Sequence, residues 1–471
     1  MVNYFATMAD AIGGVGASML NEHDLSEHSS LRSIRTGIHE QEGPIFQFRK
    51  LKSAQIKSAL EKLNTRKACG WDSITPKMLK LASTGIADSL TMLFNASIDA
   101  GKWPDAWKKG EWCPVFKKED PLNEMNYRPV TVLSTVDKVY EQLLTGQVYQ
   151  HFDNIFDSSI SAYRKMHSCE TTIIRLTEEW KLAMDNKQVV GILSTDMSKA
   201  FDSLHPALLI NKLKAYGFSE QALCLMRSYF INRQNRVKLN SVVSEWKDMR
   251  RGCPQGSSFG PLLWNIFQND LTYQITDANL SMYADDHQIY VIAESISEVE
   301  QTLKNEGEVI SRWYNENYLK GNHTKYGAMI LCNRDTADAA INVKIDGENV
   351  ESKPFLKLLG VTLDSRLNYS SHISDICKKA GSKVGVLNRL KKLVPTHALL
   401  QLYKAGVLPN LTYCNMVWHF CRASDTKKLE RVQERALRAV FSNKTATYEQ
   451  LLEWAKLPSL ENRRQIGRAH V

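Results

Sequence analysis

Leu280–Ser281–Met282–Tyr283–Ala284–Asp285–Asp286–His287–Gln288–Ile289–Tyr290–Val291–Ile292 is the stretch on which the fold turns. It predicts two strands around a short acidic tip, with Ser281–Met282 leading in and Ile289–Tyr290–Val291 leading out. Adjacent aspartates repel each other, so such a tip is costly unless a cation neutralises it. Hard carboxylate oxygens suit Mg²⁺. Phosphoryl transfer between two metal ions needs a third carboxylate from elsewhere in the chain.

Asp196 is the candidate for that third group. It follows Val189–Val190–Gly191–Ile192–Leu193, an almost uniformly apolar run that suits a strand buried on both faces. A carboxylate just past such a strand is held rigidly at a sheet end. If this strand neighbours the 280–292 hairpin, Asp196, Asp285 and Asp286 converge. One metal would then activate a primer 3′-hydroxyl, and the other would hold a triphosphate and its leaving pyrophosphate. A lone Tyr-x-Asp-Asp is weak evidence, because paired aspartates in turns are mostly solvated turn formers. Asp202, nearby, reads as a structural partner or helix cap rather than a ligand.

The surrounding chain supplies the rest of a large α+β protein. Ile56, Leu60 and Leu63 predict an amphipathic helix starting near Phe48, broken at Gly70–Trp71–Asp72, with Pro76 placed to open another. Residues 102–137 form short apolar segments rich in Trp and Pro. Helices are predicted over 136–152 and 170–186 and from Pro206. A Gly/Pro/Ser loop over 249–260 precedes a helix carrying Leu262, Leu263, Ile266, Phe267 and Leu271. Strands follow at 328–332 and 343–345. From His372 the pattern is helical and basic: Ile373, Cys377, Ala380, Val384 and Leu387 make one stripe among Lys378, Lys379, Lys383, Arg389, Lys391 and Lys392.

Composition agrees with a polyanion partner. The 471 residues carry 60 Lys and Arg against 51 Asp and Glu, a formal net charge of +9, and basic side chains near phosphates release counterions. A basic surface with no such partner gives the same count. The nine cysteines have no regular spacing, which argues for a reducing compartment rather than a disulfide framework. Cys414, His419 and Cys421 lack a second ligand pair for zinc. No apolar run has membrane-spanning length, and Met1–Leu20 lacks the features of a secretory signal.

The motifs, taken in order, resemble those of reverse transcriptases from non-LTR (LINE-type) retrotransposons, from about Leu51 to Glu461. Lys67–Ala68–Cys69–Gly70–Trp71–Asp72–Ser73–Ile74–Thr75–Pro76 looks like the family's N-terminal block. Trp112–Cys113–Pro114–Val115–Phe116–Lys117–Lys118 and Asn126–Tyr127–Arg128–Pro129–Val130 resemble its fingers segments. Ser161–Ala162–Tyr163–Arg164–Lys165–Met166–His167–Ser168 follows. Asp196…Phe201–Asp202, Arg251–Gly252–Cys253–Pro254–Gln255–Gly256–Ser257 and Tyr283–Ala284–Asp285–Asp286 resemble the palm blocks. Leu319–Lys320–Gly321–Asn322–His323–Thr324–Lys325 and Leu358–Leu359–Gly360–Val361 resemble those that close the palm.

The resemblance implies a right-hand polymerase fold of fingers, palm and thumb, with an antiparallel palm sheet and a helical C-terminal thumb. It divides the chain into a linker-like extension (1–50), a helical block (51–100), fingers and palm (101–365), and a helical thumb with a truncated C-terminus (366–471). It implies an RNA-directed DNA polymerase with Asp196, Asp285 and Asp286 as catalytic, metal-binding carboxylates. Two Mg²⁺ ions, or Mn²⁺, would be the cofactors. Arg128 would contact the incoming dNTP by bidentate bonds, with Lys117 or Lys118 as a point charge, although ordinary surface charge explains these basic residues too. Phe201 would lie under the sugar and reject a ribose 2′-hydroxyl, although plain core packing explains a ring there too. Gln255 and Gly256 would approach the nascent base pair, although Gly252 and Gly256 also read as turn residues. Arg164 would contact the template. The partners would be an RNA template, a DNA primer or target and dNTPs, with no membrane, in an intracellular setting of nucleus or cytoplasm.

Three positions depart from the family pattern: Ala162 and Met166 replace frequent glycines, and Phe259 a usual leucine. The family's endonuclease domain has no counterpart, so 1–49 reads as a linker from such a domain. The last residues, Gln465–Ile466–Gly467–Arg468–Ala469–His470–Val471, resemble a translated sequencing adapter and read as a scar. The rivals are another palm-fold enzyme, such as an RNA-dependent RNA polymerase or group II intron maturase, and a decayed retroelement product that only binds nucleic acid. The acidic tip and the ring at Phe201 favour deoxynucleotide use.

Overall fold

The computed structural model describes residues 1–8, 10, 12, 19–37, 45–333 and 340–468. Residues 469–471 of the suspected scar and parts of the N-terminal extension lie outside the described residues. Helices and sheets are interspersed along the chain, an α+β arrangement. In chain order the strands are β1 (Lys109–Phe116), β2 (Tyr127–Leu133), β3 (Val189–Asp196), β4 (Gln234–Leu239), β5 (Val242–Val243), β6 (Lys247–Asp248), β7 (Asn279–Tyr283), β8 (Asp286–Ala293), β9 (Gly327–Leu331), β10 (Asn342–Ile345), β11 (Glu348–Glu351), β12 (Phe355–Leu358) and β13 (Val361–Asp364).

The chain divides into two compact units. The first comprises 1–164, 195–287 and 306–325, and the second 165–194, 288–305 and 326–471. In the first, β1 pairs antiparallel with β2, Val115 opposite Arg128, and parallel with β4, Trp112 opposite Val237. The same unit holds an aromatic core. Tyr140 stacks on Phe94 at 4.6 Å between centroids and meets Trp103 at 4.7 Å. The Trp103 indole donates to Asp137 Oδ1 at 2.9 Å, so its one polar atom is satisfied in the interior.

The Gly70–Trp71–Asp72 break is built into this unit. A Cβ on Gly70 would lie 2.8 Å from the Ser134 backbone nitrogen, so only glycine lets the chain pass. Asp72 Oδ2 accepts from the Ser134 hydroxyl at 2.7 Å, and its Oδ1 from the Ile74 amide at 3.1 Å. The helix expected from Phe48 is shorter, Ser53–Glu61, and leaves Leu63 outside it. Asn64 Oδ1 accepts from the Arg66 amide at 3.0 Å, an Asx turn that competes with helix continuation. The helix opened by Pro76 runs Pro76–Leu81, with Thr75 Oγ1 accepting from Met78 N.

The described parts of 1–50 carry core side chains. Helix Val2–Thr7 buries Phe5 edge-on against Trp112 at 5.5 Å, and helix Ser29–Gly37 buries Leu31 and Ile34. The pattern of that stretch is polar because these few apolar residues meet a surface supplied from far along the chain.

In the second unit, β3 pairs antiparallel with β9, Val190 opposite Leu331 and Ser194 opposite Gly327. Gly191 lets the helix Ile296–Glu316 close on the strand: a Cβ there would lie 2.1 Å from Val299 Cγ1. The basic helix Ser370–Leu390 packs against Ala423–Phe441. Its Ile373, Ala380, Val384 and Leu387 join one apolar core with Ile173, Trp180, Ile192, Met329, Trp418 and Leu437. β10–β11 and β12–β13 are antiparallel hairpins. The sheet order β7-β8-β3-β9 sets the strand ending at Asp196 beside the one beginning at Asp286.

Candidate active site

The acidic tip is a tight turn from β7 to β8 in which Ala284 takes φ +57°, a left-handed conformation uncommon for a residue with a Cβ. The turn is clamped from behind by the helix Gly260–Gln268, whose Trp264 indole donates to the Ala284 carbonyl at 3.0 Å. β7 is also held by its neighbour in space: Met282 N donates to Ser159 O at 2.8 Å and Ser161 N to Met282 O at 2.9 Å. Asp196 closes β3. Its carbonyl accepts from the Asn322 amide at 2.8 Å, and Ser198 N donates to Lys320 O at 2.9 Å. The Leu319–Lys325 block thus flanks the end of β3.

The three aspartates share one electrostatic site. Burial raises the Asp285 carboxyl, and the charge of Asp196 raises it further; its own backbone amide, Lys325 and Arg128 pull the other way. Asp286 is pushed up to about 6, first by burial, then by the charges of Asp285 and Asp196. Like charges in a half-buried pocket raise one another in this way until a cation neutralises them. Lys325 supplies partial relief: its Nζ lies 2.7 Å from Asp196 Oδ2, with half its side-chain surface exposed.

The donor chemistry fits Mg²⁺, since all three groups are hard carboxylates. Among the described residues, however, no three His, Cys, Asp or Glu side chains are gathered closely enough to grip an ion as they stand.

Basic side chains border the aspartates. Burial lowers the Lys117 ammonium, and the charges of Lys325 and Arg128 lower it more, while Asp196 opposes them. Lys117, Arg128 and Lys325 therefore form one cationic cluster beside Asp196. Arg128 projects from β2 with its side chain exposed.

Phe201 is half-buried between the Tyr163 ring, edge-on at 6.1 Å, and the Trp264 ring at 5.6 Å. The Arg251–Ser257 loop is tied to it: Cys253 N donates to Phe201 O at 2.9 Å, and Gln255 Nε2 to Asp202 Oδ2 at 2.6 Å. Gly256, at φ +134°, passes so close to β2 that a Cβ would lie 2.4 Å from Thr131 O. Asp202 is buried and its carboxyl is raised to about 7 by that burial. Arg164 is placed differently. Its Nη1 donates to the Asp157 and Ile160 carbonyls at 2.7 and 3.1 Å, a clasp on its own loop.

Sequence patterning had no means of finding several residues here. Lys325 and Asn322 lie in a block singled out by resemblance, but their contact with Asp196 is made only in the fold. His287 and Tyr314 carry no sequence signal. His287 is fully buried, and burial pushes its ring down to about 3 despite a hydrogen bond to the Ala284 backbone.

Comparison with known proteins identifies the family. The family model described as reverse transcriptase (RNA-dependent DNA polymerase) matches residues 116–363. The chain is 26% identical over 400 residues to a probable RNA-directed DNA polymerase from transposon BS of Drosophila melanogaster, covering 82% of this chain and 44% of that protein. It is 25% identical over 402 residues to the RNA-directed DNA polymerase from mobile element jockey of the same species, covering 82% and 43%. It is 24% identical over 383 residues to a Pol polyprotein from type-1 retrotransposable element R1 of Bradysia coprophila, covering 78% and 37%. The chain thus spans less than half the length of these relatives. With its family model matched over more than half of its 471 residues, from before Arg128 to beyond the acidic tip, the chain belongs to the reverse transcriptase (RNA-dependent DNA polymerase) family.

Proposed function

We propose that this chain carries the polymerase part of a non-LTR retrotransposon protein and copies RNA into DNA. The observation that carries the reading is the shared electrostatic site of Asp196, Asp285 and Asp286, bordered by Lys117, Arg128 and Lys325. In this reading the sheet β7-β8-β3-β9 is the palm, the β2-β1-β4 sheet belongs to the fingers, and the helices from Ser370 onward form the thumb.

The primer 3′-hydroxyl would give up its proton to solvent, its oxygen would attack the α-phosphorus of a dNTP, and the bond to the leaving pyrophosphate would break. Two Mg²⁺ ions bound at the carboxylates would supply activation of that hydroxyl and charge neutralisation on the triphosphate. Lys325, 2.7 Å from Asp196 Oδ2, would give way to those ions. Arg128 and Lys117 would hold the triphosphate oxygens. Phe201 would pack against the deoxyribose, and Gln255, fixed by Asp202, would hold the loop near the new base pair. The basic helix Ser370–Leu390 would track the duplex backbone. Arg164 would act on the template by shaping the loop it clasps.

The test is primer extension on an RNA template with dNTPs and Mg²⁺, wild type beside Asp285→Asn. DNA from the wild type alone, with RNA binding and folding kept in the variant, is the expected result, because one lost carboxylate misplaces a metal without unfolding a sheet. A folded wild type that binds RNA and makes no DNA would overturn the reading in favour of a decayed, nucleic-acid-binding product.

A further inference from the structure

A chain of buried polar side chains runs behind the carboxylates, and nothing in the reaction above uses it. The Tyr314 hydroxyl lies 2.8 Å from Thr195 Oγ1 and 3.1 Å from His287 Nδ1. His287 Nε2 donates to Gln268 Oε1 at 3.0 Å. Gln268 Nε2 donates to Asn265 Oδ1 at 3.2 Å, and Asn265 Nδ2 to the Ala162 carbonyl at 2.8 Å. All five side chains belong to residues no more than 1% exposed.

Their positions are informative. Thr195 immediately precedes Asp196 on β3, and His287 immediately follows Asp286 on β8. Successive strand residues point to opposite faces. Thr195 and His287 therefore reach backward from the very points where the two aspartates reach forward, and one hydroxyl, that of Tyr314, joins them. The far end of the chain is anchored on the helix Gly260–Gln268, which also clamps the tip through Trp264. Such a chain is costly in an interior unless every member is satisfied, and once satisfied it admits few alternative geometries.

We propose that Thr195, Tyr314, His287, Gln268 and Asn265 are positioning residues that fix the spacing of the Asp196 and Asp286 strand ends and thereby set the affinity of the site for divalent cations. The inference rests on the reading of the aspartates as metal ligands. Residues behind a metal's ligands orient them, and losing such support commonly weakens binding tenfold or more.

The test uses the full chain with Tyr314→Phe and Thr195→Val, both close in volume to the native residues, and Thr195→Ser, which keeps the hydroxyl. Mn²⁺ binding is followed by electron paramagnetic resonance without nucleotide, beside thermal unfolding and the Mg²⁺ concentration giving half-maximal primer extension. Tyr314→Phe and Thr195→Val should each weaken Mn²⁺ binding about tenfold and raise the Mg²⁺ half-saturation similarly. The KM for dNTP at saturating Mg²⁺ should stay unchanged, and Thr195→Ser should behave as wild type. If Tyr314→Phe does not fold, Thr195→Val decides. Lowered melting temperatures with unchanged Mn²⁺ binding would make the chain purely structural and overturn the proposal. A wild type that binds no Mn²⁺ and makes no DNA would overturn the polymerase reading as well, whereas an active wild type with unaffected variants overturns this inference alone.

Discussion

Asp202 shows how burial alters a carboxylate that local sequence would leave ordinary. Its carboxyl is raised to about 7, chiefly by burial, against the hydrogen bond from Gln255 and the charges of Lys199 and Arg128. The unfolded chain releases this proton near pH 4, so the folded state binds the proton more tightly. Stability is full below about pH 4 and is lost as pH rises through about 7. Asp202→Asn keeps an acceptor for Gln255 and cannot ionise. It should therefore gain on the order of 2–4 kcal/mol over wild type at pH 8 relative to its difference at pH 4. Urea unfolding at the two pH values checks this; a pH-independent difference would show that Asp202 is not responsible. Phe201 is a second residue-scale case. It is half-buried, with the Tyr163 and Trp264 rings at 6.1 and 5.6 Å. Phe201→Ala should let ribonucleotides be incorporated, measured as the ratio of kcat/KM for dNTP and rNTP. Unchanged selectivity would leave Phe201 with a packing role alone.

At the scale of elements, backbone approach governs the Arg251–Ser257 loop. Gly252, at φ +85°, would place a Cβ 2.7 Å from Asp202 O, and Gly256 would place one 2.4 Å from Thr131 O. Both contacts are with backbone, which cannot swing aside. Gly256→Ala should cost at least about 2 kcal/mol by thermal unfolding, and Gly252→Ala a similar amount. A melting temperature equal to wild type would mean that the loop can move off β2. Element legibility followed local pattern. The apolar run Val189–Leu193 and the hairpin around Asp285 were readable because a buried strand is apolar along its length and the acidic pair interrupts two such runs. So was the helix Cys169–Asp185, where Ser168 caps the Thr171 amide. The helices Ser83–Ala100, Glu220–Phe230 and Ile296–Glu316 were not assigned from sequence. In Ser83–Ala100 polar and small residues interrupt the apolar stripe. In Ile296–Glu316, Val299, Leu303, Ile310 and Trp313 fall at helical spacing among mostly polar and acidic neighbours.

For the whole molecule, the net charge of +9 is the property most directly tied to a nucleic-acid partner. RNA binding should weaken steeply with salt, by at least about tenfold between roughly 50 and 200 mM for a handful of phosphate contacts. A flat salt profile in a filter-binding titration would show that phosphates contribute little. Sequence alone determined the order of the motifs, the strand that ends at Asp196 and the hairpin that turns at Asp285. It also determined the basic character of the helix from Ser370. Each is a property of neighbours along the chain, expressed in period, charge and turn chemistry. Tertiary structure alone decided that Lys325 meets Asp196 across 129 residues of sequence, that Asp202 is buried, and that Arg164 holds its own loop. It alone brought Tyr314 between Thr195 and His287. Burial and through-space charge depend on segments that meet only on folding, so no local pattern encodes them.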